Sequence, residues 1–229
     1  MRLVLLDIDG TLLTCGPQVR PLFAQALLDV FGVTGEIDRF DFAGRTDPGI
    51  AIDLMTAAGL PRAEVVAALP RLRERYLADL DARLDPSQMT LLPGVRPLLE
   101  RLAARDDVLL GLLTGNWEPA ARIKLSRLGI DGFFRFGAYG CDAVDRDELP
   151  PVALSRAAAL SGRTFSPREA LIVGDSLHDV ACARAHGIPA LAVATGKTSA
   201  AALRDAGADW VVPDLLAAGE VDELFAVQL

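Results

Sequence analysis

Lysine and histidine are almost missing from this chain of 229 residues, which holds two of each: Lys124, Lys197, His178 and His186. Mechanisms that need a lysine amine or several imidazoles are therefore confined to very few positions. The three cysteines, Cys15, Cys141 and Cys182, are odd in number and irregularly spaced. That pattern excludes a disulfide framework or a thiolate metal site, and implies reduced thiols in the cytoplasm. Long apolar runs are lacking too: none approaches a membrane span, and the run in "MRLVLLDIDG" is too short for a signal peptide. Positive charge is in deficit, with 23 Lys and Arg against 31 Asp and Glu and a net charge of -8. A binder of the nucleic-acid backbone is therefore not expected. No repeat period or low-complexity segment occurs.

What is present is apolar: 51% of the residues are hydrophobic, ample for a large core. Strand-like runs occur at 2–6, 108–114, 170–174, 189–194 and 209–212, with helical patterns at 117–129, 150–162 and 178–187 between them. Continuous apolar strands alternating with helices imply an α/β fold with a doubly wound, mostly parallel sheet. The stretch 15–88 differs, offering helical patterns at 18–31, 48–58 and 62–83 and few strand signals. Turn formers bound it, "CGP" at 15–17 and "DPSQMTLLPG" at 85–94. The expected division is a core of residues 1–14 and 89–229 with a helical insert at 15–88, able to hinge at its two junctions.

Three polar groups follow strand-like runs. They are Asp7, Asp9, Gly10 and Thr11; then Thr114, Gly115 and Asn116; then Gly174, Asp175, Ser176 and Asp179. Parallel strands with right-handed crossovers bring all three to one sheet edge, where ligands bind in open α/β sheets. Four carboxylates sharing a small space call for a cation, and Mg2+ suits an all-oxygen site with a substrate phosphate. A carboxylate there can attack phosphorus, and a second one, differently placed, can move the proton of the leaving group. Gly10 allows close backbone approach, Thr114 offers a hydroxyl, and Gly115 and Asn116 offer amide N–H groups. Asn116 is positioned to cap a helix starting near Trp117.

"DIDGTL" (7–12), "LLTGN" (112–116) and "GDSLHD" (174–179) resemble three motifs of the haloacid dehalogenase superfamily of phosphohydrolases. The insert falls where that superfamily carries a helical cap of the C1 type. The resemblance implies Asp7 as nucleophile and Asp9 as general acid and base. It implies Mg2+ held by Asp7, the Asp9 backbone carbonyl and Asp175, with Asp179 helping directly or through water. Thr114 would bind the phosphoryl group. The family's lysine upstream of the last motif is missing, since no lysine lies between Lys124 and Lys197. Arg146 is the expected replacement, with Lys124 as runner-up.

The resemblance also narrows the activity. An acid at position 9 fits phosphoryl chemistry rather than dehalogenation. A cap without lysine or histidine rules out the Schiff-base phosphonate route and the sugar phosphomutases. Hydrolysis of a small phosphorylated metabolite remains, with a non-catalytic phosphate-binding or regulatory protein as the alternative. "FAGRTDPGI" (42–50) is similar to the cap loop of phosphoglycolate-phosphatase-like members, which makes Arg45 and Thr46 candidate substrate ligands. The other reading of that loop is a turn with Asp47 as helix N-cap. "ATGKTS" (194–199) lacks the upstream glycine of a nucleotide loop and is set aside. His178 is read as a surface residue at a helix start and His186 as a helix C-terminal residue. Trp117 and Trp210 are read as packing residues, and Cys15 as a small packing residue near the first junction.

Overall fold

The computed structural model describes residues 1–219 and Phe225. Its centre is β1 (Arg2–Leu6), whose five residues are all buried. The strand is apolar throughout because both its faces are covered. Val4 and Leu6 point into one apolar cluster, and Leu3 and Leu5 into another. Around it lie β4 (Val108–Leu113), β5 (Gly137–Ala138), β6 (Ala170–Gly174), β7 (Ala190–Val193) and β8 (Trp210–Val212). All pair in parallel, in the order β5-β4-β1-β6-β7-β8. The chain builds outward from β1 to β4 and β5, then returns to β1's other side for β6. That reversal opens a crevice at the carboxyl ends of β1, β4 and β6. Leu6 pairs with Leu112 on one side and Val173 on the other, so the residues just beyond these strands meet at one edge.

Between β1 and β4 the chain leaves the sheet through β2 (Leu13–Thr14) and returns through β3 (Thr90–Leu91), which pair antiparallel. The excursion holds α1 (Val19–Phe31), α2 (Asp47–Ala57) and α3 (Arg62–Arg83). Their apolar faces carry Phe23, Leu27, Met55, Leu72, Tyr76 and Leu80, all within the cluster that also holds Val4 and Leu6. Trp117 joins the two parts, its ring stacked 6.2 Å from Phe23 and tilted 5.9 Å from Tyr76. It is a packing residue, as the sequence reading has it. α4 (Val95–Ala103) and α5 (Glu118–Arg127) cover the same sheet face, while α6 (Leu149–Ser161) and α7 (Leu177–Ala185) cover the other. α8 (Ala200–Asp205) and α9 (Leu215–Gly219) complete the described chain. No helix among the described residues is long and apolar enough to cross a membrane.

Candidate active site

β1 ends at Leu6, and the next residues turn at once. Thr11, Leu12 and Leu13 all donate backbone N–H groups to the Ile8 carbonyl, and Gly10 adopts a positive φ of 85°. A side chain at position 10 would run into the Asp175 carboxylate, so glycine is required by both conformation and space. Its N–H is spent on the Leu13 carbonyl. This turn leaves Asp7 buried and Asp9 partly exposed on the wall of a cavity of about 490 Å³.

Asp7, Asp175 and Asp179 place carboxylate oxygens within 4.8 Å of one another. Burial, followed by the Asp179 and Asp7 charges, pushes the Asp175 carboxyl up to about 8. Burial also pushes Asp7 up to about 6, against the pull of Arg146. Arg146 lies in a short 3-10 turn (Arg146–Glu148) and is itself buried. Its Nη2 is 3.3 Å from Asp7 Oδ1 and 2.5 Å from Asp179 Oδ1. The other Asp179 oxygen accepts from Ser176 N and Oγ at 3.0 and 2.6 Å, a capping box that starts α7. Asp175 Oδ1 accepts from Thr11 Oγ1 at 3.1 Å, while its Oδ2 has no hydrogen-bond partner among the described residues. Three buried acids against one guanidinium, with Asp175 Oδ2 left free, fit a hard cation.

A second network lies on the β4 side. Lys124, on α5, is buried, and its Nζ is 2.6 Å from both Asp9 Oδ2 and Asn116 Oδ1. Asn116 Nδ2 donates to Asp9 Oδ2 at 2.8 Å and to Thr114 Oγ1 at 2.9 Å. Burial pushes the Lys124 ammonium down, but Asp9 and then Tyr76 push it up further, and the net direction is up. Both candidate cations thus enter the site, Arg146 on Asp7 and Lys124 on Asp9. Asn116 does not cap α5. Trp117 occupies the N-cap position without a side-chain cap, and the carboxylate at that helix start is Asp47 from the insert, accepting from Trp117 N at 2.8 Å. The Gly115 N–H has no partner among the described residues, whereas the Asn116 N–H makes a long 3.4 Å contact to Thr114 Oγ1.

The loop at 42–47 brings the insert down onto the core. Thr46 is the N-cap of α2: its Oγ1 accepts from Gly49 N at 3.0 Å and donates to the Val144 carbonyl at 2.5 Å. Asp47 is the first residue inside the helix rather than its cap, because the Thr46 side chain reaches the free N–H two residues beyond it. Thr46 is buried and fully engaged, so its hydroxyl is not directed at a ligand. Arg45 lines the cavity, pairs with Asp53 at 2.7 Å and lies over the Phe40 ring. Backbone contact is close here: Asp47 N donates to the Gly115 carbonyl at 2.8 Å, and a side chain at Gly115 would overlap the Arg45 carbonyl.

The stretch set aside as a failed nucleotide loop also reaches the site. Thr195, Gly196 and Lys197 follow β7 and line the cavity. Thr195 Oγ1 donates to the Gly10 carbonyl at 2.5 Å, and a Cβ at Gly196 would overlap Asp175 Oδ2. Motif matching could not find these residues, but their position just past a parallel strand could have. His178 is exposed at the start of α7, and His186 is the C-cap residue of that helix, as expected. Cys15 is buried, and burial holds its thiol up at about 12, which fits packing rather than reactivity.

A family model described as haloacid dehalogenase-like hydrolase matches residues 1–187. The phosphoglycolate phosphatase of Synechococcus elongatus is 31% identical, over 93% of this chain and 92% of that protein. The phosphoglycolate phosphatase of Pseudomonas putida is 28% identical, over 94% of this chain and 78% of that one. The crystal structure of a hydrolase from Pseudomonas syringae superposes with a TM-score of 0.70 at 22% identity, covering 99% of this chain and 100% of that one.

Proposed function

The chain belongs to the haloacid dehalogenase-like hydrolase family, and on that premise we propose that it is a Mg2+-dependent phosphatase of small phosphate monoesters. The observation that carries the reading is Asp7. It is buried at the reversal point of the sheet, carries Arg146 on one oxygen, has two further acids within reach, and opens onto a cavity of metabolite size. The phosphoglycolate phosphatases among its relatives favour a short phosphorylated acid as substrate.

In this reading an Asp7 oxygen forms a bond to phosphorus while the ester P–O bond breaks, leaving an aspartyl phosphate. Asp9 gives a proton to the departing oxygen. It then takes one from the water that attacks phosphorus and restores the Asp7 carboxylate. The Thr114 hydroxyl and the free Gly115 N–H, both on residues that line the cavity, would hold phosphoryl oxygens. Arg146 takes the role of the family lysine, setting a permanent positive charge between Asp7 and Asp179. Asp7, the Asp9 backbone carbonyl and Asp175 would hold Mg2+, with Asp179 acting through water because both its oxygens are engaged. When bound, the ion supplies charge that offsets repulsion between the carboxylate and the anionic phosphoryl group. Asp7→Asn is expected to abolish phosphate release from a panel of phosphometabolites in Mg2+ buffer. Full activity in that variant sinks the mechanism. Ligand binding with no turnover in the unaltered protein points to a phosphate-binding protein instead.

A further inference from the structure

The cations of the cavity are not equivalent. Arg146 reaches Asp7 and Asp179 at the acid cluster. Lys124 reaches none of the cluster acids, and it is directed at Asp9, 115 positions away in sequence. Its ammonium donates to Asp9 Oδ2 and Asn116 Oδ1, both at 2.6 Å. Asn116 then donates back to the same Asp9 oxygen and to Thr114 Oγ1. The result is a closed ring in which both donors converge on Oδ2. Asp9 Oδ1 has no partner among the described residues and lies on a side chain that is 43% exposed. Asp9 itself sits on a turn and has rotational freedom that the ring removes. Hydrogen bonds from two buried side chains, Lys124 and Asn116, to one carboxylate oxygen hold that carboxylate in one orientation.

We infer that Lys124 is a positioning residue for Asp9: with Asn116 it pins Oδ2 and thereby presents Oδ1 to the leaving-group oxygen. The inference rests on the phosphatase reading and adds a division of labour between the two cations. Arg146 serves the nucleophile, and Lys124 serves the proton donor. In the first half-reaction Oδ1–H loses its proton to the ester oxygen as that oxygen's bond to phosphorus breaks and the Asp7 oxygen bonds to phosphorus. In the second, Oδ1 takes a proton from water as the water oxygen bonds to phosphorus and the Asp7–phosphorus bond breaks. The sum is ester plus water giving alcohol plus phosphate.

The test exploits leaving groups. An alkyl phosphate needs the proton, whereas 2,4-dinitrophenyl phosphate departs without one. kcat/KM is measured because it reports the half-reaction that releases the alcohol. Lys124→Met, close in length and shape, is expected to lower kcat/KM for the alkyl ester about 100-fold and for the dinitrophenyl ester far less, as loss of general-acid catalysis does. In an Asp9→Asn background the same change is expected to cost nothing further, because it acts only through Asp9. Lys124→Arg is expected to restore part of the difference. Should Lys124→Met fail to fold by circular dichroism, Asn116→Leu removes the other donor to Oδ2 and is expected to give the same split. Equal losses on both esters, or a loss that persists beside Asp9→Asn, overturn the inference. If the unaltered protein cleaves neither ester, it is the phosphatase reading that has failed.

Discussion

Arg146 sits between Asp7 and Asp179, and a guanidinium cannot shed its proton to relieve a change in its surroundings. Arg146→Ala would leave three buried carboxylates facing one another, and turnover is expected to fall by roughly 100- to 1,000-fold. Arg146→Lys should recover part of it. A lysine keeps the charge but loses the fork that also reaches the Gly44 and Leu113 carbonyls. Unchanged kinetics in Arg146→Ala, with Lys124→Ala inactive, would reverse the two roles. Gly196 offers a second test. A methyl group there meets Asp175 Oδ2, so Gly196→Ala is expected to displace that carboxylate and weaken apparent Mg2+ affinity about 10-fold or more. A Mg2+ titration of activity measures it, and an unaltered midpoint would mean that the loop yields instead. Asp7 and Asp175 were legible in the sequence because each follows an apolar run directly, and Asp179 because it lies four residues after Asp175 at the start of the next helix. Arg146 was legible only through a missing lysine. The contact of Lys124 with Asp9 was not legible, because nothing local in α5 marks which of its faces meets a turn 115 residues away.

At the scale of elements, the strands that carry the site were readable because their runs are continuous and buried on both faces. β5, β2 and β3 were not, since each is two residues long and exists only through its pairing. The start of α2 was misread by one residue, and the error has a consequence. With Thr46 as cap, Asp47 is released to reach across to Trp117 N. Burial, against the pull of Lys124, then holds its carboxyl up at about 6 from 3.8. A carboxyl raised on folding favours the native state only while protonated. Its contribution is full below about pH 4 and is lost as pH rises through 6. Asp47→Asn keeps an acceptor for Trp117 N without the charge. It is therefore expected to be more stable than the unaltered protein above pH 6, by roughly 1–3 kcal/mol. The advantage should vanish near pH 4. Urea unfolding across that range checks the sign, and a variant less stable at neutral pH would show that the Asp47 charge is favourable where it stands.

The whole molecule is held together across the boundary that the sequence suggests. Composition divides residues 15–88 from the rest, but composition says nothing of what the apolar faces of α1 and α3 meet. In the structure they meet each other and Trp117 at the start of α5, and a single apolar cluster runs from Leu72 and Leu80 through them to Val4 and Leu6 of the sheet. Trp117 stands at the junction, 97% buried, stacked on Phe23 and tilted against Tyr76. The same residue donates its N–H to Asp47, so packing and polar contact coincide at one position of the core. A shared cluster of this size implies that insert and core unfold together. Fluorescence, which reads Trp117 and Trp210, and far-ultraviolet circular dichroism, which reads all the helices, should give coincident urea transitions. Trp117→Ala would leave a cavity between the two parts and is expected to cost about 3–5 kcal/mol, lowering the midpoint of one transition. If the variant instead separates the signal into two transitions, the insert is a folding unit of its own. Its contact with the site then becomes an equilibrium between docked and released states rather than a fixed feature of the fold.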